Sequence, residues 1–185
     1  MRITALPMAL LLLLLAAPLP AQLGGRDALT AAETDELREV AQEPDKRLKL
    51  LLKYLRTRMQ SVDQLRADSK PIANRGKQMH DLLEDFGKIL DELDDNIDDY
   101  ADHRADLRKP LRDIIDAEND FQAKLRAISQ AASTAGSQSQ DYAFVLQNDL
   151  DAVGSSLEDA QKLLDQQEID FKAAKEAEKQ KGKRK

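Results

Sequence analysis

The sequence predicts an all-α protein: an elongated antiparallel helical bundle with coiled-coil-like packing, three or four long helices plus one short N-terminal helix. Three observations predict it. Charged residues make up 34% of the 185 residues and aromatics only 4%, with seven glycines and six prolines, a composition of long helices rather than sheets. Apolar residues recur in alternating steps of four and three, the repeat of helices that wrap around one another. No segment alternates apolar and polar residues as a half-buried strand does.

The chain opens with Met1-Arg2, an apolar run and the small-residue exit "AAPLPA", the layout of a secretory signal peptide over residues 1–21, cleaved after Ala21. The run falls short of the ~20 residues a spanning helix needs, and Pro18 and Pro20 break its end. No later segment is apolar enough to span, so no transmembrane segment is expected after signal cleavage. The chain has no cysteine, which removes disulfides, thiolate zinc sites and thiol nucleophiles. An export signal on a cysteine-free chain points to a periplasmic or secreted location in a bacterial envelope.

Residues 22–28 read as a linker, 29–178 as a single helical-bundle domain and 179–185 as a basic disordered tail. Thr30 and Glu33 have capping-box spacing and open a short helix that stops at Pro44. Asp45 is then expected to cap a second helix, whose seam runs through Leu48, Leu52, Leu55, Met59 and Val62. Ser69 as a cap and Pro71 in a first turn mark the third start. From there one seam keeps phase from Met79 to Ile128, interrupted at core-type positions only by Arg104 and Glu118.

That phase passes through Pro110, which gives two readings. Either one helix from about 72 to 132 kinks there, or "HRADLRKP" is a turn and Pro110 lies in the first turn of a new helix. The kinked helix is preferred, because the stretch has no glycine, asparagine or serine. Residues 129–140, "SQAASTAGSQSQ", read as a loop. A last seam follows Leu146, Leu150, Val153, Leu157, Ala160, Leu164, Gln167, Phe171 and Ala174.

Asp91 to Asp106 holds eight carboxylates in sixteen residues and invites a calcium reading. From Asp94, the residues Asp94, Asn96 and Asp98 suit the start of an EF-hand loop. Asp99 then stands where glycine is required and Ala105 where glutamate is, so the motif fails. Read as helix, the stretch repeats like charges at i,i+4, which are mutually unfavourable. Folding of the second helix back on the third would bring Lys46, Arg47, Lys49 and Lys53 beside Asp91 and Asp94. Asp98, Asp99, Asp102 and Asp106 are left without a basic counterpart. With Arg104 and Glu118 they form the candidate interaction surface.

His80 with Glu84 and His103 with Asp99 have one-turn spacings but flank the seam, and read as surface residues with no metal. No phosphate loop or nucleophile arrangement occurs, so no enzyme activity and no cofactor are expected. The formal charge of −6 argues against nucleic acid. The expected function is an exported, non-enzymatic helical scaffold or protein-interaction module of the cell envelope. Its partner is an unknown protein or a second copy, and the basic tail is able to touch an anionic envelope surface. The alternatives are a cation- or ligand-binding bundle and a holdase-like periplasmic chaperone.

Overall fold

The computed structural model describes residues 26–70, 73–134 and 139–183. It is all-helical, with no strand among the described residues: α1 (Ala31–Glu39), α2 (Pro44–Ala67), α3 (Arg75–Asp102), α4 (Arg108–Thr134) and α5 (Ala143–Lys183). The expected signal peptide, residues 1–21, lies outside the described residues. Among those described, no helix is long and apolar enough to cross a membrane.

Local chemistry sets most boundaries. The capping box of α1 is formed: Thr30 Oγ1 accepts from the Glu33 N–H at 3.2 Å and Glu33 Oε2 from the Thr30 N–H at 2.8 Å. α2 begins two residues earlier than expected, with Pro44 first. A missing N–H costs nothing there and the fixed φ suits the helix, so Asp45 lies inside the first turn instead of capping it. The start of α3 is also corrected. It begins at Arg75 behind a left-handed Asn74 with φ 59°, not behind Ser69, and Pro71 lies outside the described residues. Arg75 closes the corner by donating to the carbonyls of Leu65, Asp68 and Lys70.

The kinked long helix is overturned: α3 stops at Asp102 and α4 starts at Arg108. Arg104 takes a left-handed conformation, φ 60°. The Ala105 N–H then reaches the Tyr100 carbonyl and the Arg104 N–H the Ala101 carbonyl, both at 2.9 Å. This is a Schellman ending with arginine where glycine is usual. Pro110, third residue of α4, sits among N–H groups that have no intrahelical partner anyway. The seam keeps phase across the break because Leu107 and Leu111 resume it, both fully buried.

Two further boundaries differ. Residues 129–134, expected as loop, continue α4, with Ile128 and Ala132 buried; alanine favours helix and the seam still had apolar positions to bury. Residues 179–183, expected as disordered tail, are the last turn of α5. The linker is engaged from Arg26 onward: Arg26 pairs with Asp85 at 2.6 Å and with Asp81, and the Ala28 carbonyl accepts from Arg58.

The helices form two antiparallel hairpins, α2/α3 and α4/α5, packed with α3 beside α5 and α2 beside α4. Asp63 with Lys124 and Asp94 with Ser156 fix these second contacts as parallel. The five-residue α3–α4 link therefore joins helices that face each other across the bundle diagonal, touching through an edge-on Phe86–Phe121 pair at 5.2 Å. α1 braces the outside of α2, where Arg58 forks onto Glu33 at 2.6 and 2.9 Å.

Candidate functional site

Asp98, Asp99, Asp102, Arg104 and Asp106 come together at the α3–α4 turn, all exposed. Glu118 does not join them. It is fully buried, ten residues into α4 and so ~15 Å down the helix. Arg104 also leaves the seam: its position shapes the turn and its side chain faces water.

The expected compensation of the acidic stretch is corrected. Arg47 does reach α3, but its partners are Glu92 at 2.8 Å and Asn96 at 2.5 Å, not Asp91 or Asp94. Lys46 pairs with Glu43 and Lys53 with Glu36. Asp91, Asp95, Asp98 and Asp102 therefore run as one exposed stripe along α3 with no basic partner among the described residues. Asp99 meets only His103, whose Nδ1–H donates to the Asp99 carbonyl at 2.7 Å; that bond and the nearby carboxylate raise the histidine's affinity for a proton. Asp106 is the exception, held by the Arg108 guanidinium at 2.6 and 2.8 Å and by its N–H. Those bonds bring its carboxyl down to about 2.

Two other features share this end. A groove of about 670 Å³ opens between the first turns of α2 and α4. Buried Leu48, Leu52, Pro110 and Ile114 form its floor, with Lys49, Asp106 and other charges at its rim. α5 runs past the end of the bundle. Gln167 accepts from the Leu107 N–H at 2.8 Å and donates to the Ala105 carbonyl at 3.0 Å, Glu168 pairs with Arg112 at 2.6 Å, and Arg108 stacks on Phe171 at 3.6 Å. Beyond that anchor the helix continues alone. Every described side chain from Ile169 to Lys181 is exposed, including Ile169 at 60% and Phe171 at 48%.

His80, Asp81 and Glu84 place three ligand atoms within 4.8 Å of one another. Their carboxylates are already committed, Asp81 to Lys77 and Arg26 and Glu84 to Lys88. A cation there would have to displace three basic side chains, so the cluster reads as a surface ion-pair network.

The sequence reading missed a second polar cluster, along the contact of α5 with α3 and α4. Ser156 Oγ lies 2.6 Å from Asp94 Oδ1 on α3 and 2.6 Å from Glu118 Oε1 on α4. Two turns before it, Asp149 is 3% exposed and packs against Gly87, where a Cβ would meet its Oδ1 at 2.7 Å. Burial pushes all three carboxyls up, Asp94 to about 6, Glu118 to about 7 and Asp149 to about 8, and neighbouring carboxylates add to it. A signal existed. The expected seam residues Leu146, Val153, Leu157 and Ala160 are buried, and Asp149 and Ser156 lie on the same face one position before Leu150 and Leu157.

The fold and these sites define a class, a four-helix bundle of two antiparallel hairpins joined across the diagonal, with a short helical brace and an overrunning last helix. A scan against protein-family models, a search of curated proteins and a search of solved structures each return no match.

Proposed function

We propose that the chain is an exported, non-enzymatic scaffold or interaction module of the cell envelope that engages its partner with the α3–α4 end of the bundle. The observation that carries this is the overrun of α5. A helix exposed on all sides gains nothing from packing, and an isolated helix of this length is marginal in water. Ile169 and Phe171 leave apolar surface uncovered at its base, and lysines 172, 175, 179 and 181 make it basic. The acidic stripe, the groove and this arm offer a partner three kinds of contact at one place. A protein that carries both a basic and an apolar patch suits them. The envelope location rests on the signal-like layout of the first 21 residues in the sequence.

Photo-crosslinkers at Ala174 and at Asp98 in the native envelope test this reading. One protein recovered from both positions, and lost when residues 172–185 are deleted from a chain that still melts as before, is the expected result. Recovery of self-adducts alone, or of the same partner without the arm, would remove it.

A further inference from the structure

The Asp94–Ser156–Glu118 bridge holds an imbalance that hydrogen-bond chemistry resolves in one way. The serine hydroxyl has one hydrogen, yet it lies 2.6 Å from an oxygen of each carboxyl group. It donates to one of them; the other contact is a hydrogen bond only if that carboxyl carries a proton and donates to Oγ. No protein group donates to Glu118 Oε2 or to Asp149 Oδ2, both sealed from solvent. Asp149 is more than nine-tenths buried and has no hydrogen-bond or ion-pair partner among the described residues. A buried ionised carboxylate without a partner is strongly unfavourable, so the group keeps its proton.

The charges facing this cluster are all of one sign. From α3 they are Asp91 and Asp98, from α5 Asp159, and from α4 Glu118 itself; α2 contributes none. No lysine or arginine pairs with any of the three carboxyls among the described residues. Nor do they gather as metal ligands: the one described set with three ligand atoms within 4.8 Å is the half-buried trio at His80.

We propose that the seam of α3, α4 and α5 is a proton-binding site. Asp94, Glu118 and Asp149 hold α5 in the bundle as neutral acids, and loss of their protons lets α5 come away. α5 is the helix suited to leave. Its buried residues are Leu146, Asp149, Val153, Ser156, Leu157 and Ala160, two of them polar and one an alanine, whereas α2 and α3 bury tyrosine, phenylalanine, methionine and rows of leucine. Elements with little buried apolar surface open first. The sign follows from linkage. All three acids bind protons more tightly folded than unfolded, so their contribution is complete below their unfolded values, about pH 4, and is lost as pH rises through about 6 to 8. For each proton the docked state retains, the opening constant of α5 rises about tenfold per pH unit.

The test is hydrogen exchange of the full chain between pH 5.5 and 8.5, corrected for the intrinsic rate, on the wild type and on Glu118→Gln/Asp149→Asn. The amides mimic the neutral acids in shape and need no proton. In the wild type, peptides from residues 143–164 should lose protection steeply with pH while those of α2 change little. The double variant should hold α5 protected at pH 8.5, with a slope smaller by up to two protons. Carboxyl carbon shifts give a readout that does not depend on the variant folding: Glu118 and Asp149 should titrate above pH 6. Titration of both below pH 5, or equal pH slopes in wild type and double variant, would overturn the proposal. So would millimolar calcium or magnesium that restores α5 protection at pH 8.5 in the wild type alone, since the seam would then be a metal site.

Discussion

Arg58 and Glu118 are both charged residues withdrawn from water in one bundle, and they meet opposite surroundings. Arg58 forks onto Glu33, takes the Ala28 carbonyl as well, and holds α1 and the preceding segment against α2. The pair brings the Glu33 carboxyl below its ordinary range. Glu118 meets a serine hydroxyl and a second carboxyl, with no cation. The difference shows what burial alone cannot: a charged side chain locks two elements together only when its counter-charge is buried with it. Without one, the contact depends on protons from the solvent.

The pairs respond to pH in opposite directions. Glu33 binds its proton less tightly folded than unfolded, so its contribution is complete above about pH 4.5 and fades as pH falls through its lowered value. The α5 seam weakens on the alkaline side. A melting profile from pH 3 to 9 should rise, peak in mild acid and fall; a flat profile above pH 5 would remove the contrast.

The largest mutational effect is expected at the paired site. Arg58→Ala leaves Glu33 half-buried without its fork, and chemical denaturation should show a loss of about 3 kcal/mol at pH 7. Next, Gly87→Ala drives a methyl to 2.7 Å from the Asp149 carboxylate. A loss of about 1–3 kcal/mol is expected, and most of it should vanish in a chain that also carries Asp149→Ala, as a double-mutant cycle would measure. Gly154 faces α4 instead, where a built Cβ would meet the Gln122 side chain at 3.6 Å, an ordinary contact distance. Gly154→Ala should therefore stabilise by about 0.5–1 kcal/mol through helix propensity. Arg104→Gly, at the left-handed turn position, should gain a few tenths of a kcal/mol at most, read as a small rise in melting temperature.

Much of this architecture was legible. The four-three seams located the core of α2, α3 and α4 residue by residue, and the box of Thr30 and Glu33 fixed the start of α1. Pro110 misled because a heptad phase can continue through a turn when the next helix resumes on the same side. Arginine can also take the left-handed position that glycine usually fills. The acidic stripe of α3 was visible as composition, but its counter-charges were misassigned, since a lysine on the outer face of α2 cannot turn inward. Asp149 and Ser156 were passed over because leucines one position further along marked the seam.

By itself the sequence determined the helical class, the seams and the cap of α1, because these depend on period and on neighbours within a few residues. Only the tertiary structure decided that the α3–α4 link spans the bundle diagonal, that Glu118 is sealed away from the acids near Asp102, and that Asp94, Ser156 and Asp149 meet. Those outcomes depend on which helix faces are brought together over some sixty residues of chain. No local pattern encodes a charge's surroundings at that range, and the surroundings set whether a buried carboxyl is an ion or an acid.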